Sequence, residues 1–383
     1  MARKVVRVAM NGVTGRMGYR QHLVRSLLSI REQGGVRLAD GSAIVPEPIL
    51  VGRSENRLRK IAERHGLAHW STRLDEVLAD PGVDVYFDAQ VTSAREAALG
   101  LAIAAGKHVY TEKPVADSLD GALRLARAAR EAGVTNGVVQ DKLFLPGVIK
   151  LRRLLREGFL GRVLAVRLEF GYWVFEGDGV PAQRPAWNYR AEDGGGIVLD
   201  MFPHWQYLLE DLFGPVTAVY AREATHVPRR WDETGAPYDV TAADAAYAVL
   251  ELGDGVMASV NSSWAVRVNR RELLELQVDG THGSAVAGLR HCAVQHRVST
   301  PAAVWNPDLP DPLDYPGQWA DVPDNAVFDN GFKTQWEQFL QAAAEGTGVP
   351  WDLAEGAKGV QLAGLARQSS AERRRLDVPA LAV

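Results

Sequence analysis

Cysteine is almost missing from this chain: Cys292 is the single thiol among 383 residues. One thiol closes no internal disulfide and builds no cysteine-rich metal site, which fits a reducing compartment. Long apolar runs are missing too. No stretch approaches the roughly 18 residues a membrane helix needs. The amino-terminal Val5-Val6-Arg7-Val8-Ala9-Met10 is broken by Arg7 and stops at Asn11-Gly12, too short for a signal-peptide core and better read as a first strand. Blocks of like charge are absent and the net charge is -4, which disfavours a nucleic-acid partner. The nine histidines form no H-x-x-x-H or H-E-x-x-H pair on one helix, so no metal is expected. The expectation from these absences is a soluble, cytoplasmic protein with no membrane partner.

What is present is ordinary globular material, with 46% hydrophobic and 23% charged residues, over a length that suggests two domains. The first third alternates apolar runs with helical patterns. Val5–Met10, Pro48–Val51, Val83–Ala89 and Lys107–Tyr110 read as strands, with helices at Leu58–His65 and Ser118–Arg130. Ser93 and Glu96 read as a capping box opening an alanine-rich helix that Gly106 closes. Alternation of this kind predicts a parallel sheet covered by helices on both faces, a Rossmann arrangement over residues 1–146. Beyond it, the helix Val148–Arg156 leads into Val163–Phe170, Val216–Arg222, Ala245–Leu252, Val256–Trp264 and Leu273–Val278, with a hairpin signal at Gly253-Asp254-Gly255. A carboxyl-terminal α/β domain over 147–383, with a large, open, mostly antiparallel sheet, is expected. It includes a proline- and aspartate-rich loop at 300–328 and closing helices at Phe332–Ala344 and Leu353–Arg374.

Gly12, Gly15 and Gly18 follow the first strand with the spacing G-x-x-G-x-x-G, one residue longer than the usual dinucleotide turn. Such a turn lets backbone amides and a helix start face a pyrophosphate, although close helix packing alone also uses glycines. The second strand ends Val51-Gly52-Arg53-Ser54, with no carboxylate for an adenosine ribose. Arg53, Ser54 and Arg57 suit a 2′-phosphate, so NADP is expected in preference to NAD. The alternative is that Arg53 is a solvated arginine at a strand end.

His108-Val109-Tyr110-Thr111-Glu112-Lys113-Pro114 closes a parallel strand at the end where such sheets bind ligands, and Pro114 forces an extended or turn geometry on Lys113. With the glycine turn, the run Ala105–Pro114 and Gly194-Gly195-Gly196-Ile197-Val198-Leu199-Asp200-Met201-Phe202-Pro203-His204, the chain resembles the glucose–fructose oxidoreductase, inositol dehydrogenase and rhizopine-catabolism family, Gfo/Idh/MocA. The resemblance implies a nicotinamide-dependent oxidoreductase with a Lys113, Asp200 and His204 active site. It further implies action on a secondary alcohol or ketone of a sugar, inositol or glycoside.

The residues agree with that chemistry. Asp200 and His204 stand at i and i+4, on one helix face, and Pro203 is read as marking the first turn. Alcohol oxidation needs a group to take the hydroxyl proton while hydride leaves. His204 is assigned as acid/base, Lys113 as substrate-hydroxyl ligand and proton partner, and Asp200 as orienter; exchange of the Lys113 and His204 roles stays open. The cofactor is expected to touch Gly12, Thr14, Gly15, Arg16, Met17, Gly18, Arg53, Ser54, Arg57, Gln90, Glu112 and Lys113.

Substrate contacts are expected from Lys142, Tyr172, Trp173, Trp187 and Asn188 besides the active-site trio, with Glu176, Asp178, Tyr189 and Arg190 nearby. Phe202, Gln90-Val91-Thr92-Ser93-Ala94 and Asp141-Lys142-Leu143-Phe144 depart from the family's usual residues, which suggests an unusual substrate within it. Two other readings stay open: a glycosidase that oxidises transiently and eliminates, and a non-catalytic dinucleotide-binding regulator, which would not need the proton-transfer groups. A similarity of the glycine turn to dihydrodipicolinate reductases lacks their paired histidines. The open sheet is expected to join copies as a homodimer or homotetramer.

Overall fold

The computed structural model describes residues 2–171, 179, 181, 184–266, 271–300, 308, 314 and 316–382. It divides into two compact units: Met1–Phe144 with Asp329–Gln361 and Ala380–Val383, and Leu145–Phe328 with Leu362–Pro379. The first break falls beside the expected boundary at 146. Residues 329–361, however, which the sequence reading places in the second domain, belong with the first.

The first unit is a seven-stranded sheet of β1 (Arg3–Asn11), β2 (Val36–Arg37), β3 (Ala43–Val51), β4 (Trp70–Ser71), β5 (Val85–Asp88), β6 (His108–Thr111) and β7 (Asn136–Val138). Its order is β2-β3-β1-β5-β6-β7, with β4 paired to β3, and only β2 runs antiparallel. An unusually wide helix, Gly18–Leu28, runs on into α1 (Ser29–Glu32), and α2 (Glu55–His65), α3 (Leu74–Ala79), α4 (Thr92–Ala104) and α5 (Leu119–Ala132) complete the alternation.

β3 is longer than expected and contains Pro46 and Pro48. The Leu50 N–H points away from β1 to His69 O at 3.1 Å, so even-numbered positions face the outer edge. There β2 pairs only with 43–44 and β4 only with 50–51, and the two prolines fall in the gap where no donor is needed. Ser118, the expected start of the helix, caps α5 by accepting from Gly121 N at 3.1 Å, and Gly133 closes it at φ 64°. The expected capping box at Ser93 is not formed. α4 opens at Thr92 without a side-chain cap, and Glu96 instead accepts from Arg124 at 2.8 Å.

Leu99, Ala102, Val109, Ala122, Leu125 and Ala129 fill one face of this sheet. On the other, Met10, Leu23, Leu27, Phe87 and Tyr110 pack with Trp336, Phe339, Leu340 and Trp351 of the returning segment. Fully burying each large side chain contributes about 1.5–3 kcal/mol, which explains why helix Gly331–Glu345 joins this unit despite its distance along the chain.

The second unit opens with α6 (Pro146–Arg156) and β8 (Val163–Phe170), then α7 (Ile197–Phe213), β9 (Val216–Ala224), the ribbon β10 (Arg229–Trp231) and β11 (Pro237–Asp239), β12 (Ala245–Leu252) and β13 (Met257–Ser263). β14 (Leu274–Gly280), β15 (Gly283–Gly288), β16 (Cys292–His296), β17 (Ala320–Asp321) and β18 (Leu376–Asp377) follow. Nine strands form one sheet in the order β17-β16-β15-β14-β8-β13-β12-β9-β18, antiparallel except for β8 beside β13. The β12–β13 hairpin turns at Gly253–Gly255 as its glycines suggest, while β15 and β16 escaped the sequence pattern. One face is packed by Val166, Leu168, Leu250, Val260 and Leu276; the other leaves Tyr220, Tyr247, Val249 and Met257 exposed. No described helix is long and apolar enough to cross a membrane.

Candidate active site

Gly12 follows β1 with φ 82°, and a Cβ there would lie 2.5 Å from the Ala89 carbonyl carbon and 2.8 Å from Gln90 N. Only glycine lets the tips of β1 and β5 approach so closely. A Cβ on Gly18 would sit 2.6 Å from Gly12 O, while Gly15 N donates to Gly12 O at 3.0 Å and Gly15 O accepts from Tyr19 N at 2.9 Å. The turn thus feeds straight into a helix whose first amides lack intrahelical acceptors, at the carboxyl end of a parallel sheet. That is a fitting cradle for a diphosphate. Thr14 and Met17 are half-buried there, Gly15 and Arg16 exposed. Arg53 and Arg57 stand exposed beyond β3, and Ser54 precedes α2 without capping it.

At the end of β6 the chemistry is buried. Glu112 Oε1 lies 2.9 Å from His22 Nε2, and Trp336 Nε1 donates to His22 Nδ1 at 3.0 Å. Because Nδ1 accepts, the imidazole proton sits on Nε2 and is donated to the carboxylate. Burial pushes the Glu112 carboxyl up, but the hydrogen bond from His22 and the positive charges of Lys113 and Arg95 bring it below its ordinary value. Glu112 Oε2 also accepts from Lys113 N at 3.2 Å. Lys113 is half-buried, and its peptide bond to Pro114 is cis. Gln90 N donates to Asp88 Oδ1 at 3.0 Å, beside the glycine turn. Lys142 is half-buried, 3.4 Å from Asp141.

In the second unit α7 carries Asp200 and His204 one turn apart, as the i, i+4 spacing suggests. Pro203, however, does not mark the first turn. The helix begins at Ile197, and Pro203 lies inside it, leaving Leu199 O without its usual N–H partner. His204 is buried, with Nδ1 2.7 Å from Tyr207 Oη. Asp200 forms an ion pair with Arg184 at 2.7 Å, and the Arg184 guanidinium lies over the Trp264 ring at 4.4 Å. Trp187 is 49% exposed. Asn188 is buried and acts as a brace: its side-chain amide donates to Pro185 O at 3.0 Å, and its main-chain carbonyl accepts from Gly196 N at 2.9 Å. Gly195 is obligatory at this brace, since a Cβ would lie 2.4 Å from Trp187 O. Tyr172, Trp173, Glu176 and Asp178 lie outside the described residues.

His22, Tyr207 and Arg184 were not singled out from the sequence. Tyr207 had a usable signal, three residues after His204 on the same helix. His22 and Arg184 had none, because their partners are set by packing.

Residues 6–140 match the oxidoreductase family with an NAD-binding Rossmann fold, and residues 148–286 match the GFO/IDH/MocA C-terminal domain. The chain is 59% identical over 379 residues to a D-xylose dehydrogenase of Paenarthrobacter nicotinovorans, covering 98% of each protein. It is 29% identical to a 1,5-anhydro-D-fructose reductase of Ensifer adhaerens, over 70% of this chain and 74% of that one. In fold it is similar to a levoglucosan dehydrogenase solved with NADH and levoglucosan, with a TM-score of 0.80 at 20% identity over 98% of this chain and 100% of that one. This chain is therefore a member of the Gfo/Idh/MocA family, an oxidoreductase with that family's NAD-binding Rossmann domain.

Proposed function

We propose that the enzyme is a sugar dehydrogenase that oxidises a hydroxyl-bearing carbon of an aldose such as D-xylose, with NADP preferred over NAD. The observation that carries the substrate class is the 59% identity to a D-xylose dehydrogenase over 98% of both chains. The side chains supply matching chemistry. An oxidised nicotinamide, held at the glycine turn, would supply the hydride acceptor for the carbinol carbon, so the hydroxyl proton must go to the protein. His204 takes that proton. To act as a base it carries its own proton on Nδ1, donated to Tyr207 Oη 2.7 Å away, which leaves Nε2 as the acceptor. Lys113 binds the sugar hydroxyl and stabilises the alkoxide as it forms, and Asp200 orients the sugar through a neighbouring hydroxyl. The exposed Arg53 and Arg57 beyond β3 support a 2′-phosphate, as no carboxylate ends that strand. The exposed Tyr220, Tyr247, Val249 and Met257 support a homodimer or homotetramer joined through the sheet, and light scattering at micromolar protein reads this directly.

The test is a panel of aldoses, inositols and polyols with NADP and NAD, followed by reduced-nicotinamide absorbance. In Lys113→Ala and His204→Ala, turnover is expected to fall at least roughly 10²-fold with dinucleotide affinity retained. Undiminished turnover in both variants removes the assigned roles, and no oxidation of any aldose removes the substrate class.

A further inference from the structure

Arg95 is 2% exposed, and each nitrogen of its guanidinium is committed to a different group. Nε donates to Asp88 Oδ1 at 3.1 Å, one terminal nitrogen to Gln90 O at 2.8 Å, and the other to Pro114 O. Asp88 is fully buried and shared in turn: Oδ1 also accepts from Gln90 N at 3.0 Å, and Oδ2 from the Tyr86 hydroxyl at 2.8 Å. That hydroxyl accepts from Asn11 Nδ2 at 3.0 Å, one residue before the glycine turn. A single ion pair therefore ties three strand ends together: β1 at Asn11, β5 at Gln90 and β6 at Pro114.

Stability alone is a poor reason for this arrangement, because burying an ion pair among apolar neighbours roughly cancels its own attraction. Direction is a better one. A planar guanidinium fixes three acceptors in one plane, which an ammonium cannot do. Lys113 is the residue caught between two such grips: its neighbour Glu112 is held by His22, and its other neighbour Pro114 is held by Arg95. Its main chain is thus fixed on both sides.

We propose that Arg95, oriented by Asp88, is a positioning residue that sets the Lys113 backbone against the Gln90 loop. The proposal rests on the role given to Lys113 above. It deepens that role by naming what aims the side chain.

The test is a double-mutant cycle between Arg95→Lys and Lys113→Ala, with thermal melting and dinucleotide titration of each variant. Arg95→Lys keeps the charge opposite Asp88 but loses the fork to Gln90 O and Pro114 O. The expected result is a fall in kcat of at least roughly tenfold in the parent, with dinucleotide affinity within about threefold, and no further fall in the Lys113→Ala background. An equal fall in both backgrounds marks Arg95 as merely structural and overturns the proposal. Unchanged kcat in Arg95→Lys, with Lys113→Ala impaired, also overturns it while leaving the functional reading intact. Full turnover in Lys113→Ala defeats the functional reading and this inference together. If Arg95→Lys does not fold, the neutral pair Asp88→Asn/Arg95→Gln enters the same cycle and is judged by the same outcomes.

Discussion

Replacing His22 by leucine isolates what the buried imidazole does for Glu112. The side chain is fully buried and makes two hydrogen bonds, at 2.9 Å to Glu112 and 3.0 Å from Trp336, while its ring lies 4.3 Å from that of Phe87. Leucine fills nearly the same space, so the cavity penalty is small. The loss is polar: a charge-assisted hydrogen bond of about 1.5–3 kcal/mol, and a buried indole N–H left unpaired at about 1–3 kcal/mol. Glu112 keeps its bond from Lys113 N, so the expected total is about 3–5 kcal/mol. The Glu112 carboxyl is held below its ordinary value in the folded chain. Its contribution is therefore complete above the unfolded value of about 4.3 and is lost as pH falls through the folded value. Urea unfolding of parent and variant at neutral pH and at a series of pH values below 4, read by tryptophan fluorescence, measures both effects. The difference should be large at neutral pH and shrink in acid. A penalty below about 1 kcal/mol, or one independent of pH, refutes the buried His22–Glu112 bond.

Two further outcomes follow from the structure. In Arg53→Ala, NADP binding should weaken at least roughly tenfold with NAD little changed, as expected for a lost charge-assisted phosphate contact; equal weakening of both rules out a 2′-phosphate site. Burial pushes the Cys292 thiol up to about 11, against smaller opposing effects of Lys150 and Arg153. Near pH 8 iodoacetamide should therefore label the folded chain roughly 10²-fold more slowly than the urea-unfolded one, and equal rates would contradict the buried placement.

Local pattern accounts for what could be read along the chain. β1, β6, β8 and β12 follow from apolar runs, and α5 from Ser118 and Gly133, because strand and helix periods are properties of neighbouring residues. The Asp200–His204 pair was legible for the same reason, since residues four apart share a helix face whatever surrounds them. Local signals also misled where a distant group competed for the same atoms. Glu96 left its expected cap for Arg124, 28 positions away, and Pro203 is carried inside α7 by a helix that starts before it.

The amino acids alone specified the strand–helix alternation, the glycine turn and the types of chemical group available. Packing decided which of those groups meet. His22 reaches Glu112 across 90 positions and Trp336 across 314, and Arg95 reaches Pro114 across 19. A hydrogen bond takes on its strength and direction only when water is excluded from both partners, and exclusion belongs to the assembled core, not to any stretch of sequence.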